Sequence, residues 1–143
     1  MSKGNTFEND LLKLIFNATA IANMADNAAA SPLTNLYVSL HTADPGEAGD
    51  QTTNETAYTG YARVAVARTS GGFTVTANSV SPVAAIDFGE CTASPGAAIT
   101  HFAIGTASSG AGKLLYSGTV TPNITMAAGV IPRLKTTSTV TED

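Results

Sequence analysis

The residues able to do chemistry in this chain are few, and their spacing rules out most reaction types. His41 and His101 are the only histidines. A hydrolase would set one of them against a nucleophilic hydroxyl and a carboxylate. Hydroxyls are plentiful, yet no Gly-x-Ser-x-Gly elbow presents one. Asp44 and Asp87 could pair with a histidine only by accident of folding. The bland reading is a histidine hydrogen-bonded at a strand end or a subunit contact, and we expect no enzymatic activity.

Two loops resemble ligand-binding motifs and fail in detail. Residues 107–114 place Gly112 and Lys113 as a phosphate-binding loop would, but Ala107 holds the slot of the first glycine. Leu114 replaces the Ser or Thr that would touch magnesium, and the segment leads into a strand. Residues 44–55 have the length of a calcium loop, with Gly49 sixth and Glu55 twelfth. Gly46 and Ala48 occupy slots that need side-chain oxygens, and no helices flank the loop. A solvated acidic loop explains this segment better. Cys91 is the single cysteine, so neither an internal disulfide nor a cysteine-rich zinc site can form. Nothing basic stands near it in sequence to lower its pKa. The sequons at Asn17, Asn54 and Asn123 are what a Thr- and Asn-rich chain produces by chance. No cofactor and no metal are expected.

These residues are carried by elements whose periods are readable. Leu36, Val38 and Leu40 alternate with Tyr37, Ser39 and His41, the period of a half-buried strand. A second alternating run covers 61–68. Between them lies a long acidic loop punctuated by Asp44-Pro45-Gly46 and Ala48-Gly49-Asp50. Further strands are predicted at Phe73–Ala77, Ile86–Phe88, Ile99–Thr106 and Leu114–Val120. A closing strand is expected within Gly129–Thr141, with Pro132 marking an edge or bulge. Turns are expected at Gly71-Gly72, Pro95-Gly96 and Thr121-Pro122-Asn123, a break at Ser81-Pro82, and a flexible loop at 108–112.

The one convincing helix starts at Asn5, which can cap it, with Glu8 placed to return the bond. Phe7, Leu11, Leu12, Leu14, Ile15 and Ala18 form its apolar face, and it is expected to end near Ala20. Leu11, Leu12 and Ile15 should be buried on the sheet core. The alternative is that this face docks on another subunit. Residues 21–32 read as a connector, with a short helical turn around Met24; Pro32 biases Ser31 away from helix.

The chain has 143 residues, enough to bury roughly two thirds of its unfolded surface in one core. The expected fold is mainly β: a sandwich or jelly roll of about seven or eight antiparallel strands with one N-terminal amphipathic helix. We divide it into a helix and connector over 1–33 and a β domain over 34–143, together one compact domain. Charged residues make up 13% of the chain, and the net charge is −4. That balance excludes a basic nucleic-acid binder. The chain lacks the run of about 20 apolar residues a membrane span needs. The N-terminus, interrupted by Glu8 and Asp10, does not read as a secretory signal.

The loop over 42–60 carries Asp44, Glu47, Asp50 and Glu55 with no basic residue. Its apolar content is limited to Ala43, Ala48, Ala57 and Tyr58. Its backbone is therefore expected to bond to water or to a neighbour. We take Asp44, Glu47, Asp50, Glu55, Tyr58 and Tyr61 as the candidate protein-interface residues.

The runs LYVSLHTADPGEAG, TGYARVAV, ITHFAIGTA and LLYSGTV are also informative together. They resemble a family of small tailed-bacteriophage virion structural proteins, often labelled tail fibre proteins and related to capsid cement or decoration proteins. The resemblance covers most of the chain. Two departures stand out: residues 20–32 are longer than expected, and residues 93–98 carry Pro-Gly in place of a Gly- and Trp-bearing turn. The resemblance implies a structural component of the virion, assembled in the host bacterial cytoplasm. The first expectation is a capsid cement that bridges major capsid protein subunits. The alternative is a tail fibre or baseplate component, with binding of a host glycan as one role. The absence of Trp tilts the expectation towards the head. Partners are then other virion proteins and further copies of the chain in a homo-oligomer, with neither nucleic acid nor membrane.

Overall fold

The computed structural model describes residues 5–21 and 32–142. Residues 22–31, with the turn expected at Met24, lie outside them, and so do the side chains of Asn5 and Phe7. The described chain is mainly β. One helix, α1 (Asn5–Asn17), precedes nine strands: β1 (Asn35–His41), β2 (Val64–Ala67), β3 (Phe73–Thr76), β4 (Ser79–Pro82), β5 (Ile86–Asp87), β6 (Ile99–Gly105), β7 (Leu114–Ile124), β8 (Arg133–Leu134) and β9 (Val140–Thr141). They form antiparallel sheets ordered β2-β1-β6-β7, β3-β4-β9 and β5-β8. The contacts gather into two compact units: Met1–Asn35, Val66–Ala85 and Lys135–Asp143 in one, Leu36–Ala65 and Ile86–Leu134 in the other.

In the first unit, α1 packs on β3 and β4. Its fully buried line is Glu8, Leu12 and Phe16, a spacing of four that keeps one stripe of the helix inward. This corrects the expected face. Leu11 and Ile15 are half-buried, Ala18 is exposed, and Phe16, absent from the expected stripe, is the anchor. Its ring meets Phe73 edge to face at 4.9 Å, an arrangement favoured by the ring quadrupoles. The helix stops at Asn17, before the expected Ala20, because Ala18 turns left-handed at φ 53°, and Thr19 N–H bonds back to the Lys13 carbonyl at 3.1 Å. The terminal carbonyls of Leu14 and Ile15 accept from the Arg68 guanidinium. Those carbonyls have no partner within the helix, and a cation there also meets the negative end of the helix dipole.

The expected break at Ser81-Pro82 is instead strand β4, paired with β3 from Phe73↔Pro82 to Thr76↔Ser79. A proline is tolerated because β9 reaches only Ser79 and Val80. Pro82 therefore sits at a local edge, where its missing N–H is not required.

In the second unit, β1 pairs with β6 from Tyr37↔Gly105 to His41↔His101. Leu36, Val38 and Leu40 are buried as the alternation predicts, but Ser39 and His41 on the opposite face are buried too. Interior placement in the sheet, with β2 and β6 on either side, goes with cover on both faces. The expected turn at 121–123 lies inside β7. Ile99 pairs with Ile124 while His101 pairs with Thr119, so the register shifts there. Pro122, which cannot donate, falls in the irregular stretch. The tail forms two short strands where one was expected: β8 pairs with β5, whereas β9 pairs with β4. Lys135–Thr139 separates them, with a turn at 136–137.

Candidate functional site

The long loop after β1 is held by the second unit itself, and this overturns the expectation that only water or neighbours order it. Its two ends close on each other: Thr42 N–H bonds to Asn54 O and Thr56 N–H to Leu40 O, both at 2.9 Å. Asp44 Oδ1 accepts from Gly46 N–H at 2.9 Å, and Asp50 Oδ1 accepts from Thr52 N–H and Oγ1–H at 2.7 and 2.6 Å. The Thr52 bonds hold the Asp50 carboxyl below its ordinary pKa. Each aspartate thus shapes a turn through its own side chain.

Between these turns Gln51 enters the interior, fully buried. Its Nε2 donates to Tyr37 O at 3.2 Å, its Oε1 accepts from Ala107 N–H at 3.0 Å, and its backbone N–H bonds to Gly112 O at 3.1 Å. A Cβ at Gly105 or Gly112 would lie 2.1 or 2.2 Å from the Gln51 amide, so only glycine admits this side chain.

A second anchor joins Glu55 to Arg63. The guanidinium binds both carboxylate oxygens, Nε at 2.7 Å and Nη2 at 2.8 Å. It also donates to Ala107 O and Gly110 O, at 2.9 and 2.8 Å. The two side chains are 2% and 16% exposed, arginine first. A buried fork of this kind is strong only because each of the three guanidinium nitrogens finds an oxygen. The Glu55 bond raises the Arg63 pKa. The Tyr61 hydroxyl donates to the same carboxylate at 2.8 Å and accepts from Leu40 N–H at 3.1 Å; burial raises its pKa. Tyr58 is buried and donates to Gly89 O at 2.9 Å, and desolvation pushes its pKa up to about 12.

The candidate interface residues therefore divide. Asp44 and Glu47 are exposed and Asp50 is half-exposed. Glu55, Tyr58 and Tyr61 turn inward and hold the loop's base. Gln51 and Arg63 escaped the sequence reading. Their signal was weak: one charge in an apolar alternating run, and one amide in a Thr-rich loop. Glu55, twelfth position of the calcium-loop register, commits both oxygens to Arg63.

The histidines come together across β1 and β6. His41 Nδ1 lies 2.8 Å from Thr53 O and its Nε2 2.9 Å from Ser39 Oγ. In the tautomer whose Nδ1–H donates to the carbonyl, Nε2 accepts a hydrogen bond from the Ser39 hydroxyl. Desolvation pushes the His41 pKa below 6.5. This serine–histidine pair is fully buried, and a backbone carbonyl stands where a triad would place a carboxylate. It acts as another tether of the loop.

On the outer side, a shallow groove of about 300 Å3 is lined by Asp44, Gly46, Glu47, Leu114, Leu115, Tyr116 and Ser117. It joins the loop's acidic rim to the first half of β7.

A profile of the family described as Podophage GP4 fiber I protein gp80 matches residues 2–142. The chain belongs to this family. It is a phage fibre-type structural family, in agreement with the resemblance carried by residues 36–49, 59–66, 99–107 and 114–120. The match favours the tail-fibre alternative over the capsid-cementing reading. A comparison with curated proteins returns no match.

Proposed function

We propose that the protein is a structural subunit of the fibre apparatus of a podophage virion, placed at the tail and not on the head shell. The observation that carries this is the family match across nearly the whole chain. The geometry supports a structural role. The loop over 42–60 is fixed from beneath by Gln51, Glu55–Arg63 and His41, and holds Asp44, Glu47 and Asp50 outward as a preset acidic rim. A rigid rim loses little entropy on docking. Its partner is a neighbouring virion protein offering Lys or Arg, and its charges contribute mainly to specificity and encounter rate, screened by salt. The protein has no enzymatic activity of its own, in keeping with a Ser39–His41 pair that is sealed from substrate. It assembles in the host bacterial cytoplasm and works as a homo-oligomer.

The test is a cryo-EM map of intact particles, with virions assembled on the charge-reversed variant D44K/E47K. The fibre reading expects a few copies near the tail and loss of those copies from the variant particles. Hundreds of copies over the capsid lattice would establish the cementing role instead.

A further inference from the structure

The groove beside the loop has an apolar floor as well as an acidic rim. It lies within one compact unit, where the loop after β1 meets the start of β7. Ile104 pairs with Tyr116 and Gly105 with Leu114, so Leu115 is an extra residue in β7. A regular strand would send Leu114, Leu115 and Tyr116 to alternate faces. A bulge re-aims side chains, and here all three are half-buried and line the groove. Asp44 and Glu47 line it with them. Asp44 is held in place: its Oδ1 accepts from Gly46 N–H and its carbonyl from Asn54 Nδ2, both at 2.9 Å. Tyr116 is already engaged in an interaction of its own and serves only as lining.

We propose that this groove takes one arginine side chain of a neighbouring virion protein, its stem along Leu114 and Leu115 and its guanidinium at Asp44 and Glu47. This deepens the docking role of the acidic rim and rests on it. Among the described residues, neither Asp44 nor Glu47 has an ion-pair partner. Ionised carboxylates only accept hydrogen bonds, so the occupant must donate and carry positive charge. The apolar floor asks for an aliphatic stem beneath that charge, and Lys and Arg combine the two. Arginine fits better. Its planar guanidinium offers five donors, enough for two carboxylates, and is more weakly hydrated than an ammonium. A metal ion is disfavoured, because it needs several oxygen ligands. Among the described residues no group of three or more His, Cys, Asp or Glu could hold one.

A second copy of this chain is a poor source of that arginine. The chain's three arginines are Arg63, Arg68 and Arg133. Arg63 binds Glu55, Arg68 binds the carbonyls that end α1, and Arg133 binds the Asp87 carboxylate. Another copy could supply one only by breaking such a bond. It would also bring a net charge of −4 towards the rim, and like charges oppose docking. Nucleic acid meets the same repulsion. The occupant is therefore a different protein.

The experiment is an NMR titration of the isotope-labelled full chain at constant ionic strength. The first probe is N-acetyl-arginine amide. N-acetyl-citrulline amide keeps the stem without the charge, and methylguanidinium keeps the charge without the stem. The arginine probe should give saturable shifts confined to residues 44–47 and 114–117. Each partial probe should bind several-fold more weakly, since an exposed ion pair is worth about two- to fivefold and each buried CH2 up to about fourfold. D44N/E47Q should remove the preference for arginine over citrulline. Leu115→Ala should reduce the preference for arginine over methylguanidinium. The wild-type comparison decides the matter should either variant fail to fold. No saturable shift, equal binding of a partial probe or of N-acetyl-lysine amide, or the same shifts from calcium or glucose alone would overturn the assignment. Saturation in a protein found on the capsid shell would uphold the arginine site and overturn the tail placement. Copies at the tail with a groove that ignores the arginine probe would overturn this site alone.

Discussion

Strands β1 and β7 belong to one sheet and are read from the same kind of pattern, yet they have opposite fates. Neither carries a Lys, Arg, Asp or Glu, and both alternate. β1 is buried on both faces over Val38–His41, whereas β7 alternates between half-buried and exposed along most of its length. β1 lies between two strands, and the loop after it is drawn down by Gln51, Glu55 and His41. Among the described residues, β7 has a strand on one side only. Burial is thus a property of place in the sheet, and the alternation supplies only the option. What separates the strands is the polar anchoring around β1, which converts an exposed-looking loop into part of the interior.

The sharpest way to break this comparison is Arg63→Ala. It leaves the Glu55 carboxylate with the Tyr61 hydroxyl as its remaining donor and takes the Arg63 donors from the carbonyls of Ala107 and Gly110, and removing one partner of a buried pair costs about 3–5 kcal/mol. Urea unfolding should register that loss; a cost under about 1 kcal/mol would show that the loop is not held from below. Next comes the core contrast itself. Leu40→Ala should cost about 2–5 kcal/mol by chemical denaturation, while Val120→Ala on the half-buried face of β7 should stay near 1 kcal/mol or below. Equal costs would erase the distinction between the two strands.

Gln51→Ala is smaller, about 1–3 kcal/mol, from an unpaired Ala107 N–H and Tyr37 C=O. Amide exchange within residues 42–60 should accelerate in this variant while exchange in β6 stays slow. The smallest effect is set by pH. His41 has a native pKa below the 6.5 of an unfolded histidine, so the unfolded chain takes up the proton first as pH falls. Its stabilising contribution is complete above about pH 6.5 and is lost progressively from there down to the lowered native value. Melting temperature measured from pH 7.5 to 5 should fall across that window, and His41→Gln should flatten the slope. A slope unchanged by the substitution would remove His41 as its source.

Much of the fold could be read directly because it depends on local period and punctuation. The helix start, β1, β3, β6 and the beginning of β7 follow from alternation or from a spacing of four. The turn at Asp44-Pro45-Gly46 needs the residues it contains, and Gly46 and Gly96, the glycines of two expected turns, both adopt positive φ. Prolines misled the reading twice. Pro82 ends a strand and Pro122 lies within one, because the cost of a missing N–H depends on whether a neighbour asks for it, and that is a fact of sheet order. Phe16 was missed because helical stripes of similar apolarity differ only in what they meet, here Phe73.

The sequence alone determined a mainly β chain with one N-terminal helix, the absence of charge along β7 and the acidic rim of Asp44, Glu47 and Asp50; these come from periodicity and from which residues are present. Tertiary structure decided which polar residues face inward. Arg63 pairs with Glu55 across eight residues, Gln51 reaches Tyr37 and Ala107, and Arg68 caps a helix more than fifty residues earlier. A polar side chain carries no mark of whether it will be solvated or desolvated. Its burial is tolerated only where the fold brings a complete set of partners within hydrogen-bond reach, and that set is assembled from chain segments no local pattern connects.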